Sequence, residues 1–168
     1  MSVVGSTILV VEDDVPFRTF LAGLLKPRGF RVVAARAPGE VWPLLSAATP
    51  ALAIIDGHLP EHDGVELIRQ LRSRGYDGPI IFMSADWRDH ASYQQLTKEL
   101  GVERVMHKPF SAYEFITEVE ALMARRAVEP VGPESDPESD RAGDAGDAPP
   151  SVPSVPSLVR EFGGRLPE

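Results

Sequence analysis

The sequence predicts an α/β fold: a doubly wound parallel sheet of five strands, covered by five helices on its two faces. Five short apolar segments alternate with segments whose apolar residues repeat at helical spacing, which is typical of a parallel sheet with right-handed crossovers. The clearest strand, residues 51–56 (ALAIID), carries no charge before its last residue, as expected for a strand buried on both faces. Because a lone buried carboxylate is costly, Asp56 should lie at the exposed carboxyl end of this strand, where a cation can meet it.

The first two strand–helix pairs have clear boundaries. Residues 7–11 are rich in β-branched side chains and predict a strand, after which apolar residues repeat at helical spacing until the break at residues 27–29. Residues 31–35 predict the second strand, and residues 38–47 the second helix. The strand that ends at Asp56 is the third.

The later elements vary in the strength of their pattern. Helix 64–74 is amphipathic, strand 79–83 delivers Ser84 at its end, and helix 90–100 has only a thin apolar stripe. A short strand, 104–107, leads to Lys108. The outward side of helix 64–74 is expected to be a solvated face of three arginines: Arg69, Arg72 and Arg74. Ser111 and Glu114 form a capping box that starts the last helix.

The predicted topology brings acidic residues from two strands to one point. In open α/β sheets the functional crevice lies at the carboxyl ends of the strands, where the strand order reverses. The flavodoxin-like order 2-1-3-4-5 places this reversal between strand one, which ends in Glu12 and Asp13, and strand three, which ends in Asp56. Ser84 and Lys108 follow strands four and five, so we expect them to face the same crevice.

This set of side chains predicts phosphoryl chemistry. Three carboxylates at one sheet edge repel each other unless a cation lies among them, and hard oxygen ligands without a His or Cys cluster favour Mg²⁺. The Ser84 hydroxyl and the Lys108 ammonium suit the oxygens of a phosphoryl group in transfer. Asp56 can act as the nucleophile and form an aspartyl phosphate.

Composition excludes several other classes of function. The chain of 168 residues has a net charge of −8 and no cysteine, which excludes disulfides, cysteine-ligated zinc and a thiol nucleophile. Residues 128–168 hold nine acidic residues and three arginines, a net of −6, so residues 1–127 carry −2 and offer no basic surface for direct nucleic-acid binding. With no signal-peptide pattern and no membrane-length apolar run, a cytoplasmic protein is expected.

Four motifs resemble the receiver domain of two-component response regulators. They are Val11-Glu12-Asp13-Asp14, Asp56-x-x-x-Pro60-x-x-x-Gly64, Ser84-Ala85 and Lys108-Pro109-Phe110. Each follows its own predicted strand, in family order, and the resemblance covers residues 6–126. Residues 127–168 form an acidic tail rich in Pro, Ser and Gly that is expected to be disordered, with a candidate docking segment at 157–166.

The resemblance implies a magnesium site. It implies that Asp56 is the phosphoacceptor, and that Asp13, Asp56 and the backbone carbonyl of His58 bind Mg²⁺ directly. It also implies that Glu12 reaches the ion through water.

The resemblance further implies that Ser84 and Lys108 contact the phosphoryl group, and that the Lys108–Pro109 peptide bond is cis.

One position departs from the family pattern. Three residues before the lysine, where the family often has an aromatic side chain that swings inward on phosphorylation, this chain has Val105. Since valine cannot make that swing, we expect the signal to travel by a backbone shift.

The sequence therefore predicts a stand-alone receiver, resembling chemotaxis receivers, that signals and is not an enzyme beyond assisting its own phosphotransfer and dephosphorylation. Its expected donor is a histidine kinase or a histidine phosphotransfer protein, and phosphorylation is expected to change the surface that binds a downstream protein. The main alternative is an interaction module that keeps the fold and does not use phosphorylation. Val105 is the sequence feature that supports this alternative. A flavodoxin is less consistent with the acidic first loop, and a dehalogenase-type phosphatase would need a second aspartate where His58 stands.

Overall fold

Five parallel strands form one sheet in the order β2-β1-β3-β4-β5, as predicted. The structure, a computed structural model, describes residues 5–60, 63–86 and 90–128. The strands are β1 (Thr7–Val11), β2 (Arg31–Ala35), β3 (Leu52–Asp56), β4 (Ile80–Ser84) and β5 (Arg104–His107). Most of the predicted tail, residues 129–168 with the segment 157–166, lies outside the described residues.

Helices connect the strands, and side chains fix the start of several of them. The helices are α1 (Val15–Leu25, followed by a 3₁₀ turn at Lys26–Arg28), α2 (Pro38–Ala47), α3 (Gly64–Ser73), α4 (His90–Gln94, continued by a π-helical turn at Gln95–Glu99) and α5 (Ala112–Val128). The Asp14 carboxylate caps α1 by accepting a hydrogen bond from the Phe17 amide at 2.7 Å. The predicted capping box is confirmed, because the Ser111 amide donates to Glu114 at 2.8 Å and the Glu114 amide to Ser111 Oγ at 3.1 Å.

The core consists of two apolar layers on opposite faces of the sheet. Alternate β1 and β3 residues pack on one face with α1 and α5, and the residues between them pack on the other face with α2 and α3. Every residue of β3 is buried, as predicted, and every residue of β4 is buried as well, which is typical of the central strands of a parallel sheet. Burying each such Leu or Ile side chain contributes roughly 1.5–3 kcal/mol. Among the described residues, no helix is both long enough and apolar enough to span a membrane.

A close approach at Gly64 fixes where α3 meets β3. A Cβ atom at Gly64 would lie 2.1 Å from the backbone oxygen of Asp56, closer than any atom can stand. The Gly64 amide also donates to the Gly57 carbonyl at 3.1 Å. Glycine is therefore required for α3 to begin directly against the end of β3. The close contact and the hydrogen bond from Gly64 help to fix the backbone at Asp56.

Candidate functional site

Three carboxylates meet at the carboxyl edge of the sheet. Glu12 and Asp13 follow β1, Asp56 ends the neighbouring strand β3, and one carboxylate oxygen from each lies within 4.8 Å of the others. The side chains differ in exposure, because Glu12 and Asp56 are only 1% and 4% exposed whereas Asp13 is open to solvent. The sequence predicted this meeting from the strand order.

Lys108 brings a cation into the cluster. It follows β5, and its Nζ lies 2.8 Å from Glu12 Oε2 and 2.9 Å from Asp56 Oδ1. The ring of Phe17, on α1, lies on another side of the ammonium, with its centroid 4.5 Å from Nζ. The Lys108–Pro109 peptide bond is cis, as expected. The ammonium therefore bridges carboxylates from two different strands.

Burial and charge shift two pKa values in this cluster. Burial raises the pKa of the Glu12 carboxyl above its ordinary value, and the nearby Asp56 raises it further, although the hydrogen bond from Lys108 opposes both. Burial acts to lower the pKa of Lys108, but its hydrogen bonds to Glu12 and Asp56 outweigh this and raise that pKa above its ordinary value. The lysine is therefore held as an ammonium at neutral pH.

The donor set suits a divalent cation with a preference for oxygen. Three carboxylates and one ammonium leave a formal charge of −2 within the cluster (−3 + 1). The carboxylate oxygens are the hard ligands that Mg²⁺ prefers, and the exposed Asp13 leaves one side of the cluster open to water and to a phosphate. The residues present therefore fit a magnesium ion.

Ser84 lies at the same edge, one strand further along. It ends β4, the neighbour of β3, and is 7% exposed. Its hydroxyl donates to the backbone oxygen of Asp86 at 3.0 Å. Its own carbonyl accepts a hydrogen bond from the Lys108 amide at 2.8 Å, so the backbones of the two predicted phosphoryl-contacting residues are directly linked.

His58 lies on the loop that follows Asp56. It forms an antiparallel bridge with Asp63. Its Nε2 lies 3.3 Å from Asp86 Oδ2, and both side chains are mostly exposed, at 60% and 67%. The histidine side chain is thus directed to the outer rim of the site, while its backbone stays within two residues of Asp56.

A cavity of about 210 Å³ adjoins Ser84. Its apolar wall includes Phe82, Leu96 and Val105, and Tyr93 also lines it. Val105, the residue that departs from the family pattern, is partly buried in this wall. The short valine side chain therefore stands beside open space, at the position where the family resemblance predicts an aromatic ring.

Sequence reasoning missed Phe17 and Arg18 as parts of the site. The Arg18 Nη1 donates to the backbone oxygens of Glu12 at 2.6 Å and Asp13 at 3.1 Å. The only sequence signal for either residue is its place one turn into the helix that follows the acidic loop, which does not reveal what the side chain contacts.

The sheet order, the acidic cluster and the bridging lysine together define a phosphoacceptor signalling domain. The model of the family described as "Response regulator receiver domain" matches residues 8–120, and the chain belongs to this family. Domains of this family accept a phosphoryl group on an aspartate, bind Mg²⁺ at an acidic pocket and interact with histidine kinases.

Curated relatives are longer than this chain. Response regulator MprA from Mycobacterium sp. (strain KMS) is 35% identical over 128 residues, which cover 76% of this chain and 54% of the relative. The phosphate regulon transcriptional regulatory protein PhoB from Pseudomonas aeruginosa is 32% identical over 124 residues, 73% of this chain and 53% of the relative. The chain thus spans about half the length of these proteins.

Solved receiver domains share the fold. The receiver domain of the Francisella response regulator 1452 has a TM-score of 0.66 and 26% identity, covering 73% of this chain and 99% of that one. The non-phosphorylated HemR receiver domain from Leptospira biflexa has a TM-score of 0.65 and 27% identity, covering 71% and 94%. A CheY-like receiver from Methanospirillum hungatei, at 20% identity and a TM-score of 0.67 over 73% and 97% of the chains, is similar in fold alone.

Proposed function

We propose that this chain is a Mg²⁺-dependent phosphoacceptor in which Asp56 receives a phosphoryl group from a histidine kinase or a histidine phosphotransfer protein. The observation that carries the proposal is the Lys108 ammonium, which lies 2.8 Å from Glu12 and 2.9 Å from Asp56 within a cluster of three carboxylates. A nucleophilic carboxylate beside a fixed cation is the arrangement that phosphoryl transfer requires.

The acidic cluster and one backbone group would hold the metal ion. Asp13, Asp56 and the backbone carbonyl of His58 are the direct ligands in this proposal, and Glu12 acts through water. When bound, Mg²⁺ supplies positive charge to the oxygens of the phosphoryl group and to the carboxylates around it.

The transfer step uses Asp56 as the nucleophile, and Lys108 and Ser84 as contacts to the phosphoryl oxygens. An oxygen of the Asp56 carboxylate attacks the phosphorus of the donor's phosphohistidine, and the P–N bond breaks as the O–P bond forms. The electron pair of the P–N bond leaves with the imidazole nitrogen, which is then free to bind a proton. Lys108 and Ser84 stabilise the charge on the phosphoryl oxygens during this exchange.

Phosphorylation would change the surface formed by α4, β5 and α5, and a downstream protein would bind that surface. The support lies in the hydrogen bond from the Lys108 amide to the Ser84 carbonyl, and in the pairing of Ser84 with His107 between β4 and β5. A movement of Ser84 toward the phosphoryl group is transmitted through these backbone contacts to β5. In this proposal the chain is a signalling protein, and its only catalysis assists its own phosphotransfer and dephosphorylation. The stand-alone arrangement stays a prediction.

Mass spectrometry of the intact protein tests the phosphoacceptor directly. The chain is incubated with acetyl phosphate or phosphoramidate, with MgCl₂ or with EDTA, and the added mass of one phosphoryl group is measured. We expect labelling with Mg²⁺ only, and none in Asp56→Asn. Absence of labelling in folded protein, or labelling that persists in Asp56→Asn, would contradict the proposal.

Val105 favours a second candidate function, an interaction module with the receiver fold that does not respond to phosphorylation. The valine stands beside the cavity next to Ser84 and has no ring with which to fill it. Capture of partners from a lysate, with and without beryllofluoride as a phosphate mimic, separates the two candidates. A partner whose affinity is the same in both states would favour the module, and one that binds a single state would favour the switch.

A further inference from the structure

We propose that Arg18 is a positioning residue that holds the loop between β1 and α1 in the geometry that binds a divalent cation. The inference rests on the proposed function, since it concerns the same metal site. One nitrogen of the Arg18 guanidinium, Nη1, donates to two consecutive backbone oxygens, of Glu12 at 2.6 Å and of Asp13 at 3.1 Å. Charged donors make hydrogen bonds roughly twice as strong as neutral ones.

These two carbonyls lie on either side of the Asp13 Cα. The Glu12 carbonyl belongs to the peptide plane that precedes Asp13, and the Asp13 carbonyl to the plane that follows. A donor that holds both planes restricts φ and ψ of Asp13, and these angles set the direction of its Cα–Cβ bond. Arg18 therefore controls where the Asp13 carboxylate points without contacting that carboxylate.

Asp13 needs such control more than its neighbours do. Glu12 and Asp56 are buried, and Lys108 and the surrounding packing fix their carboxylates. Asp13 is exposed, so the position of its carboxylate depends largely on the backbone of the loop. Other hydrogen bonds hold the loop before and after Asp13. The Glu12 amide donates to the Ala35 carbonyl at 3.0 Å, and the Asp14 carboxylate caps α1.

The direction of the effect separates positioning from simple electrostatics. Arg18 carries a positive charge near a site for a positive ion, so removal of that charge alone would tighten Mg²⁺ binding. Loss of positioning would weaken it, because Asp13 would sample directions in which it cannot bind the ion. Outer-sphere groups that orient metal ligands typically contribute about tenfold or more to affinity, and we expect Arg18→Met to weaken Mg²⁺ binding by about tenfold.

The test measures Mg²⁺ affinity on the full chain, without phosphorylation. Amide NMR shifts are followed during titration with MgCl₂ for wild type, Arg18→Met, Arg18→Lys and Arg28→Met. Arg28→Met is the matched control, because Arg28 donates to the Leu24 carbonyl at 3.0 Å and pairs with Glu120, and neither partner belongs to the acidic cluster. Its affinity should equal that of wild type.

Arg18→Lys keeps the charge but loses the guanidinium that reaches both carbonyls, so its affinity should fall between those of wild type and Arg18→Met. Thermal unfolding in EDTA shows whether each variant is folded. If Arg18→Met does not fold, the Mg²⁺ affinity of Arg18→Lys is the test. Unchanged or tighter Mg²⁺ binding in the Arg18 variants would overturn the positioning role of Arg18 and leave the proposed function unaffected. Failure of the wild type to bind Mg²⁺ would overturn this inference together with the proposed function.

Discussion

At the scale of single residues, the site is a charge balance centred on Lys108. One ammonium is shared by two buried carboxylates, while the third carboxylate, on Asp13, has no ion-pair partner among the described residues. Because buried like charges repel more strongly than exposed ones, the cluster is under electrostatic strain before a metal binds. The strain is useful, since it favours the uptake of a divalent cation.

Removal of the Asp13 charge should therefore stabilise the metal-free protein. We expect Asp13→Asn to raise the free energy of unfolding in EDTA by about 0.5 kcal/mol, the usual scale for an exposed charge screened by solvent. The same substitution should remove most of the stabilisation that MgCl₂ gives the wild type, because stabilisation by a ligand follows its affinity. Urea unfolding followed by circular dichroism measures both effects.

Asp14→Asn is the matched control for this prediction. It removes the same charge from the adjacent residue, but asparagine keeps the capping hydrogen bond that Asp14 makes to the Phe17 amide. Its response to MgCl₂ should remain that of the wild type. A less stable Asp13→Asn protein would mean that the cluster is not strained. A variant that MgCl₂ stabilises as much as wild type would mean that Asp13 does not bind the ion.

The sequence predicted which side chains meet at the site but not how they are held there. Asp56 and Lys108 could be placed together because strand order and the carboxyl ends of the strands follow from the pattern of elements. The contacts of Phe17 and Arg18 could not be predicted from the sequence, because they depend on side-chain torsions and on the direction of loop carbonyls. Residue identity alone does not encode either of these.

At the scale of elements, the junction of β3 and α3 positions the phosphoacceptor. Gly64 begins α3 with its Cα against the Asp56 carbonyl, where a Cβ would lie 2.1 Å from the oxygen. Any side chain at Gly64 must push α3 away from β3, or push the end of β3 out of the sheet.

Gly64→Ala should therefore cost stability and disturb the site together. We expect a loss of roughly 3 kcal/mol in the free energy of unfolding, the upper part of the usual range for overpacking, and slower labelling of Asp56. Gly23→Ala is the control, because Gly23 lies inside α1 with open space around its Cβ position. That variant should be more stable than wild type by about 0.5–1 kcal/mol. Equal behaviour of the two variants in urea unfolding would contradict this reading of the junction.

The helices also show where a pattern of apolar and polar residues stops being informative. The helix predicted over 90–100 exists, but it changes from α to π at Gln95, and the Leu100 amide donates to the Gln95 carbonyl at 3.1 Å. The periodicity of a thin apolar stripe does not distinguish these two forms.

The prediction of a solvated arginine face was wrong for Arg72. Its guanidinium donates to four backbone oxygens, those of Tyr76, Gly78, Leu100 and Gly101. Two of them are 28 and 29 residues away in sequence. An arginine that is polar in sequence can therefore tie together loops at the opposite end of the sheet, and only the tertiary fold reveals this role.

At the scale of the whole molecule, the site and the proposed output surface are connected through β4 and β5. Ser84 and Lys108 share a backbone hydrogen bond of 2.8 Å, and Ser84 lines the cavity of about 210 Å³ together with Val105 of β5. Valine is stiff at χ1, so a change that reaches β5 here has to move backbone rather than rotate a ring. The cavity gives α4 and β5 room for such a movement.

Beryllofluoride with Mg²⁺ should therefore shift amide NMR signals far beyond the site. We expect changes at Ser84 and Lys108, and also along β5 and at Tyr93 and Leu96 on the helix beside the cavity, because a ligand that prefers one of two arrangements shifts the whole population. Residues of α2, which contacts β2 at the edge of the sheet opposite to β5, should change little. Asp56→Asn in the same buffer supplies the control, in which these shifts should be absent. Shifts confined to the acidic cluster and Lys108 would show that the site binds its ligand without switching, and the phosphorylation-independent module would then be the better description of this chain.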